Sequence, residues 1–277
     1  MLKTRVITAL LLLAVLLPIL YLNFFPAFAI VAVLFFAAAI WECARLFGVT
    51  GQRALACAAA TMILLILVLV KGNGANLGSL FALCVALWCL RFTPSLGLGL
   101  PALNSVGNRI VGFTYAISIF GCFLAILGLF LHSPIYLLSV MAIVWVADIG
   151  AYFCGKAFGR RKLAPSISPG KSWEGAIGGW VFVLVIASLI CVSPAAIPLA
   201  DTFPVQLFLV WGWPGLFGVM TILVMASVIG DLFESLLKRR AGFKDSSQLL
   251  PGHGGVLDRI DALIPVLPLV ALLGYWF

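Results

Sequence analysis

The chain has 277 residues, of which 64% are hydrophobic and 9% charged, with a mean hydropathy of +1.22 and a formal net charge of +8. Soluble domains carry about one-quarter charged residues, so this composition excludes an ordinary water-soluble fold. The positive excess has no long basic run or aromatic–basic motif beside it, which argues against a nucleic-acid partner and suits the cytoplasmic loops of a membrane protein.

Apolar runs between polar breaks predict nine spans, near 6–22, 25–46, 54–70, 77–92, 110–131, 134–155, 174–193, 206–230 and 260–276. Each approaches the roughly 20 residues that a helix needs to cross the ~30 Å hydrocarbon layer. No period-two alternation supports a barrel, so the fold class is all-α, a polytopic integral membrane protein. The fourth span is the weakest, because Pro94 and the Gly97 to Pro101 segment follow soon after Arg91. The first span also resembles a signal peptide, with Lys3 and Arg5 before it and Ala27-Phe28-Ala29 after it. Its apolar core is longer than the ~7–15 residues usual for a signal and runs on into a second span, which favours retention.

With the N-terminus in the cytoplasm and nine crossings, every lysine and arginine except Lys71 falls on the cytoplasmic side. Every acid except Asp201 sits at a cytoplasmic helix end or in the cytoplasmic loops near 156–173 and 231–259, apart from Asp148, which lies deeper in the sixth span. An ionised carboxylate costs about 3 kcal/mol in hydrocarbon on insertion scales, so Asp148 is expected to face a polar cavity or a partner; a carboxyl tied within the bundle is the alternative. The seven cysteines lie mostly in apolar stretches without metal-ligand spacing and read as packing residues. The outer loop near Val192 to Val205 carries little chemistry. The chain divides into N-terminal transmembrane helices, 1–135, and a region holding the polar loops, 136–277.

In the eighth span's inner end, Asp231, Glu234, Ser235 and Lys238 stand at i, i+3, i+4 and i+7 and share one helix face. Two carboxylates, a hydroxyl and an ammonium suit a magnesium-bound phosphate, although a solvated amphipathic helix end carries the same pattern. Leu250-Pro251-Gly252-His253-Gly254-Gly255 then breaks any helix and lets backbone amides approach a ligand, such as a diphosphate. Asp258 and Asp261 share a face of the entering helix, while His253 taken singly reads as a turn residue. Gly170-Lys171-Ser172 invites a P-loop reading, but position 165 is proline where that motif needs glycine, and no parallel sheet is expected. Lys171 remains a phosphate-binding candidate ahead of a helix N-terminus, with a plain membrane-side anchor as the alternative.

Ser235, Leu237, Lys238, Arg239, Lys244, Asp245, Ser247, Leu250, Pro251, His253, Gly254, Gly255, Asp258, Arg259 and Asp261 resemble, at the same spacing, the C-terminal signature of phosphatidate cytidylyltransferases, also called CDP-diacylglycerol synthases. Ala147-Asp148, Ala151-Tyr152-Phe153, Gly155 and Ser168 to Gly175 are similar to the same family, so the resemblance covers roughly 140–265; Trp41-Glu42 is its one echo in the N-terminal region. The resemblance implies CTP and phosphatidate as substrates and CDP-diacylglycerol and diphosphate as products, with magnesium, and room for a second cation and a homodimer. On that footing Asp231, Asp258, Lys171 and Lys244 are the catalytic candidates. Ligand chemistry makes Asp231 and Asp258 the principal metal ligands, with Asp261 and Asp148 secondary. Ser235, Lys238, Arg239, His253, Gly254, Gly255 and Arg259 are the substrate-binding candidates. The expected location is a bacterial inner membrane with the site facing the cytoplasm. A CDP-alcohol phosphotransferase would need an Asp-x-x-Asp-Gly run, whereas Asp258-Arg259-Ile260-Asp261 leads to Ala262. A transporter using Asp148 as an ion site is the other rival, but the charges cluster at one membrane face rather than the midplane.

Overall fold

The computed structural model describes residues 2–71, 76–192 and 200–274. Residues 193–199 of the outer loop predicted near Val192 to Val205, the last residues of the ninth predicted span and the side chains of Lys3 and Arg5 lie outside the described residues. In chain order the helices are α1 (Leu2–Tyr21), α2 (Phe25–Leu46), α3 (Gly51–Lys71), α4 (Gly78–Leu87), α5 (Thr93–Leu98), α6 (Val106–His132), α7 (Pro134–Phe158), α8 (Trp173–Val192), α9 (Phe203–Ala241), α10 (Leu257–Ile260) and α11 (Leu263–Leu273). Among the described residues, seven helical stretches are long and apolar enough to cross a membrane. The protein is thus an all-α membrane protein; the second to eighth predicted spans fall on these seven stretches, while the first and ninth fall on α1 and on α10 and α11, which are not among them.

Three local features depart from the sequence expectation. The fourth span does not break at Pro94: a π-helical turn at Trp88–Phe92 joins α4 to α5, and the helix runs on to Leu98. Proline lacks an N–H and crowds the carbonyl four residues back, so widening the turn accommodates it, and the Thr93 hydroxyl donates to the Trp88 carbonyl at 2.7 Å. The loop near 156–173 is not irregular throughout: β1 (Lys162–Ala164) and β2 (Ser168–Ser172) form an antiparallel hairpin, pairing Lys162 with Ser172 and Ala164 with Ser168. Finally, α9 has 39 residues and bends at Gly212, whose φ of 63° only glycine adopts readily, just ahead of Pro214. The arm beyond the bend is about 44 Å long at 1.5 Å per residue, longer than the ~30 Å hydrocarbon layer, and its last turns carry Asp231 to Arg240.

The core is centred on α6, which is buried along most of its length and packs against α2, α4, α7 and α11. Phe233 of α9 is gripped by Phe92 (ring centroids 4.8 Å apart), Tyr115 (5.1 Å) and Trp88 (5.6 Å), which fixes the rotation of the arm that carries the acids. Helices α7 and α8 approach through small residues: a Cβ on Gly179 would overlap the Ala147 carbonyl, and one on Gly178 would overlap the Cys154 side chain. Pro265 cannot donate to the Asp261 carbonyl four residues back, so the last span is loosened between α10 and α11, and Gly230 packs directly onto that carbonyl.

The polar residues converge on one end of the bundle. There the Asn108 amide joins α6 to the end of α2 by donating to the Phe47 carbonyl at 3.0 Å. The Thr8 hydroxyl of α1 donates to the Pro251 carbonyl at 2.9 Å, which brings the early turns of α1 to the same end.

Candidate active site

A cavity of about 390 Å³ opens between α7, α8, α9 and the hairpin. Asp148, Lys156, Lys171 and Asp231 supply its charge, while Ala147, Gly179, Val224 and Val228 line its apolar depth. Val224 and Asp231 are seven residues apart on α9, so the cavity runs about 10 Å along that helix from polar to apolar. Asp148, expected to face a polar cavity, does so. The Lys171 ammonium contacts Asp231 Oδ2 at 2.6 Å, and the Ser235 hydroxyl donates to Asp231 Oδ1 at 3.3 Å. Asp261 is half-buried, accepts from the Ala262 N–H at 2.7 Å and feels the charges of Asp231, Lys238 and Lys171.

Local sequence explains how Lys171 reaches the cavity. Ser172 caps α8 by accepting from the Gly175 N–H at 3.1 Å, and the Glu174 carboxylate accepts from the N–H groups of Arg160 (3.1 Å) and Arg161 (3.2 Å). These bonds fold the hairpin back over the start of α8 and leave Lys171, near the end of β2, facing α9. The strand is antiparallel, so Lys171 has no P-loop context.

A second group lies beside the cavity rather than in its wall. Lys238 bridges Glu234 Oε2 at 2.5 Å and Asp258 Oδ1 at 2.6 Å, and Glu234 is fully buried. The face shared by Asp231, Glu234, Ser235 and Lys238 therefore turns into the protein, which removes the reading of a solvated helix end. Asp258 Oδ2 accepts from the Ser246 N–H (2.8 Å), the Ser246 hydroxyl (2.9 Å) and the Gly255 N–H (2.8 Å). Burial works against its charge, but Lys238, Gly255 and Ser246 together hold the Asp258 carboxyl below the usual carboxylate range. Both oxygens of this expected metal ligand are thus engaged by protein donors, and Asp258 is absent from the cavity wall.

The loop that follows α9 is built on a turn at Leu250 to His253 with Pro251 and Gly252 at its centre, Gly252 at φ 78°, closed by the His253 N–H donating to the Leu250 carbonyl at 2.8 Å. Arg259 Nε donates to the His253 carbonyl at 2.9 Å, so His253 serves the turn through its backbone. Of the amides expected to approach a diphosphate, Gly255 donates to Asp258 and His253 to the Leu250 carbonyl, and the adjoining Val256 and Leu257 amides donate to Glu42. The Gly254 side faces Asp258 as well. Lys244 is exposed, as is Arg239, whose Nε donates to the Ile167 carbonyl at 3.4 Å.

In the sequence Glu42 was legible as an acid at the inner end of the second span and as half of the Trp41-Glu42 echo, with no role attached. It is fully buried, and its carboxylate accepts from Ser246, Ser247, Val256 and Leu257. Its signal in the sequence was a carboxylate interrupting an otherwise apolar helix, which needs partners.

Among the described residues no three acidic, histidine or cysteine side chains form a ready-made metal cage. Magnesium commonly takes one or two carboxylates and completes its shell with water and substrate phosphates, and Asp231 of α9 with Asp148 of α7, lining one cavity, fits that donor set. The Lys171 ammonium against Asp231 marks the same carboxylate as a group that faces positive charge.

The profile of the Cytidylyltransferase family matches residues 3–277. A phosphatidate cytidylyltransferase of Pseudomonas aeruginosa is 40% identical, with the alignment covering 99% of this chain and 97% of the relative. A Haemophilus influenzae protein of the same name is 50% identical over 137 residues, 50% of this chain and 44% of the relative. One from Bacillus subtilis is 38% identical over 171 residues, 61% of this chain and 58% of the relative.

Proposed function

This chain belongs to the cytidylyltransferase family, and from that membership together with the Asp148–Lys171–Asp231 cavity we propose that it is a phosphatidate cytidylyltransferase, converting CTP and phosphatidate to CDP-diacylglycerol and diphosphate. The observation that carries the reading is one cavity graded from a paired cation and carboxylates to apolar wall, which matches a lipid with an anionic head. The lipid phosphate sits near Lys171 and Asp231, and the glycerol and acyl chains extend toward Val224 and Val228.

A phosphate oxygen of phosphatidate attacks the α-phosphorus of CTP in line; the bond from the α-phosphorus to the bridging oxygen breaks, and diphosphate leaves with the electron pair. The attacking oxygen is already anionic, so the protein's task is positioning and charge neutralisation. Lys171 exchanges its contact with Asp231 for substrate phosphate. Bound magnesium, held by Asp231 and Asp148 with Asp261 behind them, would neutralise the leaving diphosphate. Asp258 and Lys238 brace α9 against the signature loop, and exposed Lys244, Arg239 and Arg259 draw in the triphosphate. Nine crossings, a cytoplasmic N-terminus, an inner-membrane location and a homodimer complete the proposal; the first three are supported by the basic residues on the cytoplasmic side and by the bacterial relatives.

The test is diphosphate release from CTP by purified protein in detergent micelles with and without phosphatidate. Release that requires the lipid supports this reading over a transporter, which releases none; release indifferent to the lipid refutes it.

A further inference from the structure

Glu42 takes no part in the chemistry proposed above, yet its carboxylate grips both ends of the signature loop. On one side it accepts from the hydroxyls of Ser246 (3.1 Å) and Ser247 (2.5 Å), and on the other from the N–H groups of Val256 (3.0 Å) and Leu257 (2.6 Å). The turn around Pro251, closed by the Leu250 N–H donating to the Gly254 carbonyl at 2.9 Å, is the span between those two grips. The Ser246 hydroxyl also lies 2.9 Å from Asp258, which in turn holds Lys238 of α9. One carboxylate on α2 thereby connects the N-terminal helices to the loop and, through it, to the arm that carries Asp231.

Two further observations mark the contact as built. Its partners are hydroxyls and backbone amides, so a fully buried acid is held by loop groups rather than by a neutralising side chain. Gly255 admits no side chain there, because a Cβ would overlap both the Glu42 carboxylate and the Ser246 hydroxyl.

We propose that Glu42 is a positioning residue for cytidylyl transfer, holding the segment from Lys244 to Leu257 in the conformation that receives the triphosphate of CTP. This rests on the activity proposed above. Without the grip the loop populates other conformations, and CTP binds only the competent fraction, so apparent affinity for CTP falls while bound substrate still turns over. A purely structural role would instead lower the amount of folded enzyme, reducing kcat and leaving KM unmoved.

The experiment compares full-length wild type and Glu42→Gln in phosphatidate micelles, measuring kcat and KM for each substrate, together with hydrogen–deuterium exchange of the segment 246–257. Glutamine keeps the size but turns an amide N–H₂ toward groups that are themselves donors. The expected result is a KM for CTP raised about tenfold, as when the competent fraction falls to about one-tenth, with kcat within about threefold, an unmoved KM for phosphatidate and faster exchange at Val256 and Leu257. An unmoved KM for CTP, or unchanged exchange, overturns the proposal. Should Glu42→Gln fail to accumulate, Ser247→Ala removes one donor and keeps the carboxylate; a smaller rise in KM for CTP, about threefold, supports the role and no rise overturns it. Wild type that makes no CDP-diacylglycerol overturns the proposed activity and this role with it, whereas active wild type beside a variant with unmoved KM for CTP overturns the role of Glu42 alone.

Discussion

Lys238→Met removes one ammonium from between two carboxylates and leaves the aliphatic stem in place. Lys238, Glu234 and Asp258 side chains are 12%, 0% and 8% exposed, so water cannot take over the lost contacts at 2.5 and 2.6 Å. Removing one partner of a buried ion pair costs about 3–5 kcal/mol, because the charge left behind is uncompensated. At roughly 2–4 °C per kcal/mol for chains of about this size, the thermal midpoint should drop by about 6–20 °C. Intrinsic fluorescence of the eight tryptophans during heating in detergent, at one fixed scan rate, reads the shift. Glu234→Gln added to Lys238→Met takes away one of the stranded charges and should recover part of the loss. A midpoint within about 2 °C of wild type, where at least 6 °C is expected, would refute the claim that Lys238 braces α9 against the loop.

Asp231→Asn and Lys171→Met should each lower kcat about 10²–10³-fold in the CTP turnover assay while leaving the thermal midpoint nearly unmoved, since both act at the cavity rather than in the core. Gly179→Val forces a side chain onto the Ala147 carbonyl; it should cost about 1–3 kcal/mol in an unfolding titration and, by shifting Asp148 relative to Lys171 by about 1 Å, lower turnover about 100-fold. Chelation with EDTA should abolish turnover, magnesium should restore it, and Asp231→Asn should need more magnesium for half-maximal rate. The depressed Asp258 carboxyl contributes stability that is present above the unfolded carboxyl value of about 4 and lost as pH falls through its lower folded value. Thermal midpoints of wild type should therefore fall with pH below about 4, and those of Asp258→Asn should change less across the same window.

The helical architecture was legible because apolar run length alone forces it in a bilayer, and the residues at 231, 171 and 148 were legible because charge in such a chain needs a purpose. The pairing of Lys171 with Asp231 was not, since it depends on a hairpin folding back over α8 through Glu174, a contact of backbone amides that residue spacing does not announce. Passage of the fourth span through Pro94 was hidden because sequence reading treats proline as a stop, whereas a single π turn absorbs it. The roles of Asp258 and Glu42 were out of reach for a different reason. Both occupy backbone amides in or beside the glycine-rich turn, Gly255 for Asp258 and Val256 and Leu257 for Glu42, and only the fold decides whether a carboxylate of the protein or a phosphate of the substrate takes such positions.

The most direct measurement uses CTP labelled with ³²P at the α or the γ position, purified protein and phosphatidate micelles. Transfer of a cytidylyl group puts the α label into chloroform-extractable lipid, leaves the γ label in the aqueous phase as diphosphate, and loses the lipid label in Asp231→Asn. Appearance of the γ label in lipid, or no lipid label of either kind, would contradict the account.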